Sequence, residues 1–345
     1  MGSIQRVGGF DIGTNSVRIL VADIDSFSRV VASFRLGFAV RLGEGLSSTG
    51  RVSEVALERT CRVLGKSTLL ARRLGTSRIL TGATHALRVA ANSADVVGAL
   101  EEAGGLPINV LTPEEEAYYV YTGALSDSFS YKSPSAMAGR ASEVGGAAGG
   151  SFSLRREDRA EEVSGCGFVI DVGGGSTALI KGTDTGTIRS STLPLGCVTL
   201  TEEFLKHDPP TPDELQALED HVVTELSKAR PSVLPEAEDC VTGVGGAATS
   251  IAAISLGLPY YDSRRVEGHI LAGEEIERCA QRLSKLTLEE REEIEALGSG
   301  RAEIAVAGAF VLSLVARHLN VKRLTISTRG LRYGLALEAA AHPAG

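Results

Sequence analysis

The chain has 345 residues, 43% of them hydrophobic and 23% charged, with a formal net charge of −8. This length suits one large domain or two ordinary ones, no apolar run approaches the ~20 residues that span a bilayer, and the acidic balance argues against general nucleic-acid binding. A polyanionic substrate stays open, because a cleft can be locally positive on an acidic protein.

Met1 to Arg6 runs straight into an expected strand with nothing resembling a secretory signal, so the cytoplasm is the expected location and no membrane partner is expected. Apolar runs predict strands at about 5–11, 16–24 and 28–36, then a glycine-punctuated loop, Arg41 to Leu46, and an amphipathic helix from Ser53 to Leu74 with Ser53 as N-cap. A strand over 78–81, a short helix carrying His85 and Arg88, a helix from about Ser93 and a strand over 108–111 complete the first unit. In the next helix Thr112 suits the N-cap, Pro113 the first position and Glu115 the third, which makes a capping box. Glu116 is left without a capping role.

Residues 126–166 are rich in Gly, Ala and Ser, and are expected to be a flexible insertion between an N-terminal lobe (1–125) and a C-terminal lobe (167–330), with the last helix, about 331–345, free to pack back on the first. Beyond it the opening recurs as strands at 168–172, 177–181 and about 186–193. Helices follow, ending near Leu205 and over 211–230, then a strand ending at Val241. Helices around 271–283, 288–296 and 301–319, a strand over 323–327 and a final helix from about Arg329 close the chain. The halves read as a duplicated β-β-β-α-β-α plan with a cleft between two α/β lobes.

Two stretches share a grammar. Phe10 to Arg18 and Ile170 to Thr177 each deliver an Asp (Asp11, Asp171), a Gly two residues later (Gly13, Gly173) and a Ser three further on (Ser16, Ser176). Both continue as β-branched runs, so each is strand, turn, strand, whereas a dinucleotide or P-loop glycine motif opens a helix. Glycine turns of this kind, including Gly173, Gly174 and Gly175, can present backbone N–H groups as a nest for an anionic oxygen. Asn15, Ser16, Ser176 and Thr177 add neutral donors, and Arg18 is placed to reach the same anion. A carboxylate beside each nest would repel bare phosphate, but suits Mg²⁺ held by Asp11 and Asp171; the alternative is that each Asp only forms its own turn. A third glycine turn, Thr242 to Thr249 with Gly245 and Gly246, opens a helix and offers its N-terminus to an anion. The cysteines (Cys61, Cys166, Cys197, Cys240, Cys279) read as small apolar residues in a reducing compartment, and the six histidines form no zinc pattern.

Together with Thr84 to Arg88, Glu115-Glu116-Ala117 and Ser327-x-x-Gly330-Leu331-Arg332, these turns resemble the exopolyphosphatase and guanosine pentaphosphate phosphohydrolase family, over about Arg6 to Leu337. The resemblance implies two ribonuclease H-like lobes of the actin, sugar kinase and Hsp70 superfamily. It also implies Glu116 as the residue that orients or deprotonates water, Arg88 as a phosphate contact, Asp11 and Asp171 as organisers of Mg²⁺, and the turn residues as phosphate sites. The implied substrate is inorganic polyphosphate or guanosine pentaphosphate; a kinase on the same fold and a non-catalytic sensor are the rival readings. Tyr333 stands where relatives usually have Glu, and Glu303 where many have Asp, which puts substrate preference in question. Oligomeric state, monomer or homodimer, stays open.

Overall fold

The computed structural model describes residues 4–126, 152–153, 167–182, 187–236, 239–298 and 300–341. Apart from Ser126 and a two-residue strand at Phe152–Ser153, the expected insertion lies outside the described residues. The first sheet contains β1 (Gln5–Ile12), β2 (Ser16–Ile24), β3 (Val30–Ala39) and β4 (Arg78–Ala83) in the order β3-β2-β1-β4. β1, β2 and β3 form an antiparallel meander, and β4 runs parallel to β1 after a helical crossover. That crossover includes α1 (Leu46–Thr49) and α2 (Glu54–Arg73), whose first turn is closed by the Ser53 side chain accepting from Ala56 N at 3.2 Å. α3 (His85–Val89) and α4 (Ser93–Gly104) follow, and Phe10, Ile12, Ile19, Leu64 and Leu100 form the core of this lobe.

The second sheet repeats the pattern with β5 (Phe152–Ser153), β6 (Gly167–Val172), β7 (Thr177–Gly182), β8 (Thr187–Leu193), β9 (Cys240–Val244), β10 (Ile270–Ala272) and β11 (Arg323–Ile326). Its order is β10-β11-β9-β6-β7-β8-β5, with β6-β7-β8 antiparallel and β9 parallel to β6. Around it pack α6 (Cys197–Phe204), α7 (Pro212–Leu226), α8 (Gly245–Ser255), α9 (Ser263–Val266), α10 (Gly273–Leu283), α11 (Leu288–Glu292) and α12 (Ala305–His318). Phe168, Ile170, Leu179, Ile251 and Leu312 lie in their core. Among the described residues no helix is long and apolar enough to cross a membrane.

Two helices tie the sheets together. α5 (Pro113–Ala124) precedes position 126 in sequence but packs on β6, β7 and β8 of the second sheet; α13 (Leu331–Ala341) follows the second lobe but packs on β1, β2 and β4 of the first. The two helices also pack on each other. Their backbones are so close that a Cβ on Gly334 would lie 2.1 Å from the Tyr119 carbonyl oxygen, and one on Gly123 2.2 Å from that of Gly330. A shared core of Val7, Leu20, Tyr118, Tyr121, Val169, Ile180 and Tyr333 results. Outside this core the lobes are joined by Arg41 with Glu303 at 2.7 Å, and by Glu202, which accepts from Gly45 N at 2.8 Å and Ser47 Oγ at 2.7 Å.

Some expected elements differ. Residues 108–111 form no strand, only a bridge from Val110 to Ala83, because Pro107 and the helix start at Pro113 leave too little chain for a ladder. Leu271 belongs to a strand: Ile270–Ala272 pairs with Arg323–Thr325, and the helix starts at Gly273. The helix expected from Arg301 begins at Ala305, since Gly298 and Gly300 hold positive φ and Arg301 is drawn into hydrogen bonds with Gly246 O and Ser250 Oγ. The 211–230 helix ends at Leu226, and 288–296 divides into α11 and a short 3₁₀ turn, Glu295–Leu297. Cys240 is exposed rather than apolar core, while Cys197 and Cys279 are buried.

Candidate active site

The two repeated turns are built alike. Gly13 N donates to Ser16 O at 3.0 Å and Gly173 N to Ser176 O at 2.9 Å, closing each hairpin at the same step. Their carbonyls are tied backward: Thr14 O accepts from Gly43 N and Asn15 O from Val40 N and Arg41 N, while Gly173 O accepts from Cys197 N and Gly174 O from Val198 N. With the carbonyls held there, the N–H groups of Thr14, Asn15, Gly174 and Gly175 have no protein acceptor among the described residues. Such free donors are the nest that the glycine spacing predicts. The turns nearly touch, a Cβ on Gly174 falling 3.2 Å from Asn15 N.

One cleft is lined by Asp11, Gly13, Asn15, Ser16, Arg18, Glu116, Asp171, Gly173, Gly174, Gly175, Ser176, Gly245 and Gly246, so the structure brings together nearly every residue that the sequence singles out. Thr177 is the first exception. It is fully buried, and its hydroxyl donates to Leu195 O at 2.6 Å, which makes it part of the fold rather than a phosphate contact. Arg88 is the second: its guanidinium donates to Glu116 Oε2 at 2.6 Å and to Leu111 O at 2.9 Å, and it stands behind Glu116 instead of lining the cleft. Glu116 is free for this contact because Thr112 and Glu115 complete the capping box between themselves.

The third turn supplies the rear wall. Gly245 holds a φ of 90°, and a Cβ there would meet Asp171 Oδ1 at 2.6 Å and Val172 O at 2.7 Å, so only glycine lets the α8 N-terminus approach Asp171. Arg18 lies opposite Asp11 in the β1–β2 register and reaches across to Gly246.

Three carboxylates sit in this enclosed space, and burial raises the pKa of each. Asp171 is pushed up to about 7, by burial first and then by the charges of Glu116 and Asp11, against the pull of Arg18. Burial also raises Asp11, with Arg18 and Arg332 opposing, and raises Glu116, with Arg88 opposing. His85 lines the cleft as well; burial and the neighbouring Arg88 push its pKa down.

Among the described residues no cluster of three or more His, Cys, Asp or Glu has metal-site spacing. Asp11 and Asp171 still fit Mg²⁺, which takes one or two carboxylates and completes its shell with water and substrate oxygens. Two buried, mutually repelling carboxylates are also what a divalent cation would relieve.

A second cavity, of about 270 Å³, shares Asp11, Asn15, Ser16, Arg18 and Arg301 with the first and is lined further by Arg35, Arg329 and Arg332. No carboxylate lies within 4 Å of Arg18, Arg35, Arg301 or Arg332 among the described residues; Arg301 stacks on Tyr261 at 5.1 Å and Arg332 on Tyr333 at 5.8 Å. Burial, followed by repulsion from Arg18, pushes the pKa values of Arg301 and Arg332 down to about 10, so both stay charged at neutral pH. Five arginines line this chamber against the single carboxylate of Asp11, an excess of positive charge that favours an anionic ligand. Arg35 and Arg301 give no motif, since they come from an edge strand and a loop far apart in sequence.

A model of the Ppx/GppA phosphatase family matches residues 20–137 and 160–342. Exopolyphosphatase 2 of Mycobacterium tuberculosis is 29% identical over 98% of this chain and 99% of its own. The fold matches an exopolyphosphatase-like protein with a TM-score of 0.80 at 25% identity, covering 97% of each chain, and the Aquifex aeolicus Ppx/GppA family member with a TM-score of 0.71 at 27% identity, covering 98% of each. With two duplicated actin-like lobes closing on paired nests and a partly buried glutamate, the chain belongs to the Ppx/GppA phosphatase family.

Proposed function

We propose that the cleft releases terminal phosphate from inorganic polyphosphate with Glu116 as general base, Asp11 and Asp171 holding Mg²⁺. The enzyme class is that of the family, a hydrolase acting on phosphoanhydride bonds. The observation that carries the assignment is the Arg88–Glu116 pair at 2.6 Å on the wall of a cleft lined by both nests.

A terminal phosphoryl group bound to the backbone N–H groups of the two turns would lie within the same cleft as Glu116. The carboxylate takes a proton from water as the water oxygen bonds to phosphorus and the bridging P–O bond breaks; the shortened chain departs with the bond's electron pair. Arg88 orients the carboxylate and its charge opposes the burial that raises the Glu116 pKa. Arg18 and the nest donors bear the charge on the transferred group and leaving chain. Bound Mg²⁺ would supply further neutralisation of phosphate oxygens.

Guanosine pentaphosphate is a second substrate reading, offered by the family the chain belongs to. Its terminal 5′-phosphate offers the same kind of bond. Free phosphate release from purified protein with polyphosphate, guanosine pentaphosphate and ATP, with and without Mg²⁺, tests both substrates. Replacing Glu116 with Gln should lower kcat by about 10²- to 10⁴-fold, the usual contribution of a positioned base, and leave binding intact. Unchanged turnover would remove Glu116 from the mechanism. A phosphate transferred to a small acceptor, with ADP formed from ATP, would support the kinase reading instead.

A further inference from the structure

A chain gripped by its terminal phosphate must place its trailing phosphates nearby, and the arginine chamber shares a wall with that grip. Its charge depends on what holds the arginines. Arg329 has Glu267 at 4.0 Å, but Arg332 has no carboxylate within 4 Å among the described residues, and its guanidinium donates to Thr328 O at 3.3 Å. Both guanidiniums instead lie over one aromatic ring, Tyr333, at 5.5 Å for Arg329 and 5.8 Å for Arg332. Tyr333 is 3% exposed and fixed in the core shared by α5 and α13, so the ring is a rigid platform. A neutral ring attracts a guanidinium through its face and leaves the in-plane N–H donors for other partners. A carboxylate at this position would engage those donors and cancel one positive charge.

We propose that Tyr333 is a specificity-determining positioning residue. By stacking beneath Arg332 it leaves that positive charge uncompensated and open to the chamber, which then takes the trailing phosphates of a long polyanion. The proposal rests on the polyphosphate reading above. It assigns Tyr333 no contact with substrate; Tyr333 acts through Arg332, with Arg18, Arg35 and Arg301 facing the same space and Asp11 the carboxylate on its wall.

The test compares Tyr333→Glu, Tyr333→Leu and Tyr333→Phe with wild type, using tripolyphosphate and long-chain polyphosphate at several ionic strengths. For Tyr333→Glu we expect KM for the long chain to rise about tenfold or more, with kcat within about threefold and a shallower dependence of log KM on log salt, because one phosphate contact fewer is made. Tripolyphosphate should change by less than about threefold, and Tyr333→Phe should match wild type, as the ring face is retained. Equal effects on both substrates, or an unchanged long-chain KM, would overturn the proposal and leave Tyr333 a packing residue.

Equilibrium binding of long-chain polyphosphate, measured without turnover, separates this idea from the proposed function. A wild type that releases no phosphate refutes the hydrolase reading, while weaker binding by Tyr333→Glu still supports the platform and equal binding rejects it. Wild type that binds no polyphosphate rejects both. Should thermal melting show Tyr333→Glu to be unfolded, Tyr333→Leu decides: it keeps an apolar core and should raise only the long-chain KM, by about threefold, through loss of the cation–π platform.

Discussion

The two nests are copies in backbone and different in charge. Each closes with the same glycine-to-serine hydrogen bond, and each carries an aspartate two residues before the glycine. Across the strand pair, however, Asp11 faces Arg18, whereas Asp171 faces Ala178. The charges of Arg18 and Arg332 both oppose the burial of Asp11, whereas Asp171 has Arg18 alone against burial, Glu116 and Asp11, and is pushed up to about 7. The same anion-binding backbone thus carries two carboxylates in different charge surroundings, Asp11 beside two arginines and Asp171 beside two other carboxylates and one arginine.

If that difference matters, the aspartates should not be equivalent. Asp171→Asn should cost the larger share of Mg²⁺-dependent phosphate release, on the order of 10³-fold against about tenfold for Asp11→Asn, in line with the several kcal/mol that a metal can supply to charge stabilisation. Equal losses would erase the distinction. EDTA treatment should abolish wild-type activity and leave nothing further to lose in Asp171→Asn.

Arg88→Ala should lower kcat by about 10²-fold, the scale of misplacing one catalytic group. Because Arg88 lowers the Glu116 pKa, its removal should move the rising limb of the pH–rate profile to higher pH. A limb that moves the other way would mean that a different group serves as base. Ala178→Arg makes the second nest resemble the first: about a tenfold higher Mg²⁺ requirement is expected, since a guanidinium opposite Asp171 lowers its pKa and competes with the metal.

The last difference is in stability. The folded pKa of Asp171 is raised from 3.8 to about 7, so its contribution is fully present below about pH 4 and is lost as pH rises through 7. Metal-free wild type should therefore lose stability relative to Asp171→Asn between pH 4 and 7, by at most about 1.4 kcal/mol per pH unit from this proton. Denaturant melts at a series of pH values, with EDTA present, measure the difference, and Mg²⁺ should cancel it.

The nests and Glu116 were legible in the sequence for local reasons. A hairpin turn is fixed by its glycines within a few residues, and the capping box at Thr112 and Glu115 excludes Glu116 from helix capping by position alone. The doubled strand meander, with its parallel fourth strand, follows equally from periodicity and connection length. Thr177 misleads for the same local reason: it matches the pattern of a turn donor, yet burial draws its hydroxyl to Leu195.

What the sequence alone determined is this repeated local grammar and the identities of the residues that carry it. Only the tertiary structure decided that α5 packs on the second sheet and α13 on the first, and that Arg88 supports Glu116. The same holds for arginines from β3, the loop before α12 and the start of α13, which share one chamber. The physical reason is range. Turns and caps are set by neighbours along the chain, but the charge of a cleft is a sum over groups hundreds of residues apart, and it exists only once packing has removed the water between them.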